Sequence, residues 1–130
     1  MKLTVVVYAA PYSSQSALSA YRFTVSALAA GHEIHRVFFY HDGVHASNAL
    51  STPPQDEFDL VQAWQVLIKT HALDAVTCVA SALKRGILDH QEAERYEKPA
   101  ANLAEGFVLS GLGQLVEASI VSDRVVSFGA

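Results

Sequence analysis

Leu73-Asp74-Ala75-Val76-Thr77-Cys78-Val79 is followed at once by Ala80-Ser81-Ala82-Leu83-Lys84-Arg85-Gly86. The first segment is apolar and rich in β-branched residues, the mark of a strand buried on both faces. The second is helix-forming from Ser81 to Arg85 and breaks at Gly86. A buried strand running into a helix is the repeating step of a parallel sheet, so the rest of the chain should alternate in the same way.

It does. Leu3 to Tyr8 is another apolar, β-branched run, and Glu33 to Tyr40 starts as alternation and ends in a continuous apolar patch. Both read as strands, as does Arg124 to Phe128, with a fifth expected near Phe107 to Leu109. Between them, Ser13 to Ala30 has Ala17, Tyr21, Val25 and Leu28 at helical spacing and stops at Gly31, a residue suited to a helix end. Asp56 is expected to open a second helix with Phe58, Val61, Trp64 and Ile68 on one face, its acidic start and basic end (Lys69, His71) matching the helix dipole. Asp89 to Glu97 reads as a charged, exposed helix and Gly111 to Ser122 as an amphipathic one. His41 to Pro54 and Pro99 to Gly106 read as loops, the first polar and long enough to be functional. The expected fold is a three-layer, flavodoxin-like α/β domain over residues 1–130, with a mostly parallel sheet of four to five strands and helices on both faces. Sites in such folds gather beyond the carboxyl ends of the strands, where Ala9 to Gln15, His41 to Asn48 and Cys78 to Ser81 are expected to meet.

Composition narrows the function. With 51% hydrophobic and 17% charged residues and a mean hydropathy of +0.21, the chain is greasy for a solitary small domain, so part of its surface is expected against other subunits. A net charge of −4 lacks the basic stripe that phosphate binding needs, which excludes direct nucleic-acid binding. No apolar run approaches the ~20 residues of a membrane span, and Leu3 to Tyr8 is too short for a signal-peptide core. One cysteine cannot form an internal disulfide, which points to a reducing, cytoplasmic setting.

Cys78 is the first candidate for chemistry. Ser81 could cap the following helix, a thiol at a helix start is biased toward thiolate, and Lys84 and Arg85 add positive charge a turn further on. A thiolate attacks persulfide or disulfide sulfur. Position alone leaves a second reading open, a buried cysteine acting as a small hydrophobe. His41 and His45 flank Asp42-Gly43, but they and the pair His32 and His35 lack the further ligands a metal requires. Ser13-Ser14-Gln15-Ser16 fills the turn where such folds hold a phosphate, yet has no glycine for close approach. Ser110-Gly111-Leu112-Gly113 is best explained as a tight turn and cap. Phe38-Phe39-Tyr40 and Trp64 read as core, and Asp89 to Lys98 as a solvated face.

The chain as a whole resembles the DsrE/TusD family of sulfurtransferase subunits. The resemblance rests on Gly31-His32-Glu33, Val37-Phe38-Phe39-Tyr40, Asp42-Gly43-Val44, the stretch from Pro53 to Phe58, Trp64 and the run from Cys78 to Gly86. Ser110-Gly111-Leu112-Gly113, Glu117-Ala118, Asp123-Arg124-Val125-Val126 and Phe128 complete it in colinear order. It implies that Cys78 is the catalytic sulfur carrier and that no metal or organic cofactor is needed. It further implies a heterohexamer with TusB-like and TusC-like paralogues, a TusA-like persulfide donor and a TusE-like acceptor, serving 2-thiouridine synthesis at the tRNA wobble position. The alternatives are a DsrE-type subunit of a dissimilatory sulfur-oxidation complex and a non-catalytic scaffold subunit with an inert cysteine.

Overall fold

The computed structural model describes residues 1–129. Strands β1 (Lys2–Val7), β2 (Glu33–Phe39), β3 (Ala75–Cys78), β4 (Phe107–Ser110) and β5 (Arg124–Phe128) form one sheet in the order β4-β3-β2-β1-β5, with every pair parallel. From β1 to β4 the chain steps steadily toward one edge, then returns across the sheet to place β5 beside β1. With right-handed crossovers, that reversal puts the last helix on the opposite face from the others.

The two faces are unequal. On one, α1 (Gln15–Ala29) and α2 (Leu60–His71) close the larger core, in which Val5, Val7, Val37, Phe39 and Trp64 are fully enclosed. Phe39 and Tyr21 both meet the Trp64 ring edge-on at 5.3 Å, so the second helix is keyed to the sheet by aromatic contacts. The short helices α3 (Val79–Lys84) and α4 (His90–Arg95) follow β3. On the other face α5 (Gly113–Val121) covers a small cluster of Val6, Phe38, Val76 and Cys78 through Leu115.

A charged network secures α5. Arg36, buried on β2, donates from Nε to Asp74 at 2.8 Å, and from Nη1 to the Gln114 carbonyl at 2.8 Å and to Glu117 at 2.5 Å. His35 adds a contact to the same Glu117 oxygen at 3.1 Å. A buried guanidinium is tolerated only with its charge matched, and here acids from the β3 approach and from α5 match it. The His35 hydrogen bond, followed by that of Arg36, holds the Glu117 carboxyl below its ordinary range. A carboxylate with a depressed folded-state pKa contributes stability above the ordinary carboxylate range and loses it as pH falls through the folded value. Thermal melts across acidic pH should therefore show a fall in midpoint that Glu117→Gln flattens. An identical acid profile in that variant would remove Glu117 from the account.

Several expected boundaries move. The second helix starts at Leu60, with the Asp59 side chain accepting from the Gln62 N–H at 3.1 Å, and Asp56 and Glu57 lie before it in the connection. Phe58 is thereby outside the helix, half-exposed against Tyr21 at 5.7 Å. The helix after β3 begins at Val79 rather than Ser81, because β3 passes into it at Cys78 with no intervening turn. The expected loop after β2 is half helical: His41–Ser47 is a 3-10 segment with Gly43, Val44, Ala46 and Ser47 buried. The helix after Asp89 is shorter than expected and buries Glu92 and Ala93, so only part of it is a solvated face.

Candidate functional site

β3 stands between β2 and β4, with Cys78 opposite Ser110 at its carboxyl end. Cys78 is 2% exposed, yet it lines a cavity of about 370 Å³ rather than sitting in the closed core alone. Tyr40 and His41 form one wall, Val79 to Ser81 with Lys84 and Arg85 a second, and Gly111 and Leu112 the third. Each wall is the segment following one of three adjacent strands, so the sheet itself assembles the pocket around the thiol.

The walls are tied together by polar contacts. Arg85 donates from Nε to Asp42 at 2.8 Å and from Nη1 to the Ser81 carbonyl at 3.2 Å. The Arg85 contact holds the Asp42 carboxyl below its ordinary range. Ser81 does not cap its helix: it lies within α3, buried, and its hydroxyl accepts the His41 N–H at 3.1 Å. His41 has a left-handed backbone (φ 47°), and its ring lies 4.0 Å from that of Tyr40. The clamp consumes the Arg85 charge. Lys84, exposed and in no ion pair among the described residues, is left as the free cation beside the pocket.

Of the sequence candidates, the structure brings Cys78, Ser81, Lys84, Arg85, His41 and Asp42 to one place. His45 is not part of the pocket wall, and among the described residues no three of His, Cys, Asp and Glu form a group that could hold a metal. Ala9 to Gln15 does not join. β1 is separated from β3 by β2, so its turn instead walls a different cavity of about 400 Å³ with Glu57, Phe58 and Leu60. Tyr12 lines that cavity, and its hydroxyl donates to the Phe58 carbonyl at 3.2 Å and accepts the Leu60 N–H at 3.1 Å. The cavity is lined by hydroxyls of Tyr12, Ser13 and Ser14 and by no thiol. The turn Gly111-Leu112 takes the place expected of the first turn. Its adjacency follows from the pairing of β4 with β3, which local sequence patterns do not carry.

This is a parallel α/β protein with a lone thiol set in a pocket at the strand ends. The DsrE/DsrF-like family profile matches residues 1–128, and the chain belongs to that family. A DsrE protein of Allochromatium vinosum, provisionally named a sulfurtransferase, is 52% identical over 99% of both chains. The sulfurtransferase TusD homolog of Pseudomonas aeruginosa is also 52% identical, over 99% of this chain and 98% of its own. Sulfurtransferase TusD of Salmonella dublin is 50% identical over 98% of this chain and all (100%) of its own. The crystal structure of the ychN protein from E. coli superposes with a TM-score of 0.80 at 19% identity, covering 98% and 99% of the two chains, and so shares the fold. Among the described residues, no helix is long and apolar enough to cross a membrane.

Proposed function

We propose that this chain is a sulfurtransferase subunit that carries sulfur as a persulfide on Cys78. One observation carries the reading: the only cysteine, though buried, lines a pocket at the carboxyl ends of the strands. In loading, the Cys78 thiolate attacks the outer sulfur of a donor persulfide; the donor S–S bond breaks, the donor leaves as thiolate, and Cys78 holds the sulfur. In handover, an acceptor thiolate attacks that outer sulfur and Cys78 leaves as thiolate. Sulfur moves with no net oxidation, so the chain needs no redox partner. Lys84 lines the same pocket and adds positive charge that favours the thiolate in both steps.

A TusA-like donor, a TusE-like acceptor and cytoplasmic tRNA wobble thiolation complete this reading, supported by the relatives named TusD. Assembly with TusB-like and TusC-like paralogues is supported by α5, where Leu112 before it and Val116 and Ile120 on it form an exposed apolar stripe at helical spacing. The DsrE relative is as similar as the TusD homolog, which favours sulfur oxidation as the second reading. Loss of 2-thiouridine in a deletion strain selects the first; intact thiolation with lost sulfur oxidation selects the second.

The chemical test is intact-protein mass spectrometry after exposure to glutathione persulfide. Wild type should gain one sulfur, about 32 Da, removable by dithiothreitol. No gain, alone or in the assembled complex, leaves a scaffold subunit with an inert thiol.

A further inference from the structure

Beside the Cys78 pocket lies a second, larger depression of about 790 Å³ between α3 and the segment that follows α4. Its walls are apolar, formed by Leu83, Leu88, Tyr96 and Pro99, with Leu50 at the lip and 70% exposed. Lys84 and Lys98 flank it, neither in an ion pair among the described residues, and no carboxylate lines it. The Asn102 side chain, which would otherwise offer a polar contact, is spent on the floor. It donates to Asn48 Oδ1 and the Gly86 carbonyl, each at 3.1 Å, and accepts the Leu88 N–H at 2.9 Å. The floor is thus held open by the chain's own hydrogen bonds, and the groove is formed before anything enters it.

Lys84 belongs to the wall of both depressions, so the groove adjoins the thiol pocket at that side chain. A pocket of about 370 Å³ is of small-molecule size and can admit a persulfide group unaided. The adjoining groove is not needed to admit that group and is left for the protein that brings or takes it. Uncommitted ammonium groups on apolar walls, in a chain of net charge −4, select an occupant that is apolar and carries carboxylates. A protein seated in the groove would stand beside the Lys84 wall of the pocket that holds the loaded sulfur.

We infer that this groove docks an acidic, apolar surface segment of the protein that takes the sulfur from Cys78. The inference rests on the carrier reading above. Its test uses the assembled complex, loaded with glutathione persulfide and then mixed with the TusE-like protein of the same organism, with sulfur on each protein followed by mass spectrometry. Lys98→Glu and Leu50→Asp, both at exposed positions away from the thiol, should slow handover about tenfold while leaving glutathione-persulfide loading within about twofold. Added salt should slow wild type more than Lys98→Glu, in which screening also relieves the introduced repulsion. Unchanged handover in both variants overturns the docking assignment with the carrier role intact. A loss confined to loading from a TusA-like donor also overturns it, giving the groove to the donor. Failure of wild type to load at all overturns the carrier reading, and this one with it.

Discussion

Cys78→Ser is expected to abolish sulfur loading completely, with no adduct after glutathione persulfide and no sulfur reaching an acceptor protein. No other thiol exists in the chain to substitute. A serine hydroxyl remains protonated at neutral pH and forms no S–S bond, so the loss is of chemistry and not of rate. The serine hydroxyl would be buried where cysteine now packs with Val6, Phe38 and Val76, and an unpaired buried hydroxyl costs about 1–3 kcal/mol. Cys78→Ala avoids that cost and should lose sulfur just as fully while melting near wild type. Transfer surviving in the alanine variant would show that the adduct forms elsewhere and end the carrier reading.

The largest effect on stability is expected from Gly43→Ala. Gly43 lies in the 3-10 segment after β2, packed against the end of β1, and a Cβ there would collide with the Val7 carbonyl and crowd the Tyr8 Cα. Both obstacles are backbone, so no rotamer change relieves them. The segment must lift off β1, and such overpacking costs about 3 kcal/mol. For a chain of this size that lowers the melting midpoint by about 10 °C. The same displacement carries Asp42 away from Arg85 and His41 away from Ser81, the contacts that hold the pocket walls together. Persulfide loading should slow in the folded fraction, measurable below the new midpoint. A variant that melts like wild type would mean the segment has slack that the packing does not show.

The parallel sheet was legible because buried strands and helices announce themselves through local periodicity, and all five strands fall within a residue or two of the expected runs. Cys78 was legible for the same reason, as the residue where a strand pattern turns into a helix pattern. What local patterns could not carry were contacts made across the chain. Asp56 and Glu57 look like a helix start, but the Phe58 carbonyl is engaged by the Tyr12 hydroxyl and Asp59 provides the cap. Ser81 looks like a cap, but its hydroxyl is drawn to His41, which strand pairing brings alongside. The strand order decided the pocket, exchanging the turn after β1 for Gly111-Leu112. Arg85, expected to assist the thiol, is neutralised by Asp42, a partner visible only in three dimensions.

Cys78 ends β3, a strand paired on both sides, and is itself paired with Ser110 of β4, so its backbone is fixed in the sheet. The added sulfur extends the side chain by a single S–S bond, about 2 Å. Carriers built on flexible arms move their cargo between stations; on the proposed reading the cargo here has almost no radius of travel. The traffic must be the partners' own, with each protein arriving, exchanging and leaving in turn. The flux through such a relay is then governed by how fast docked partners replace one another, and a second partner cannot overlap the first.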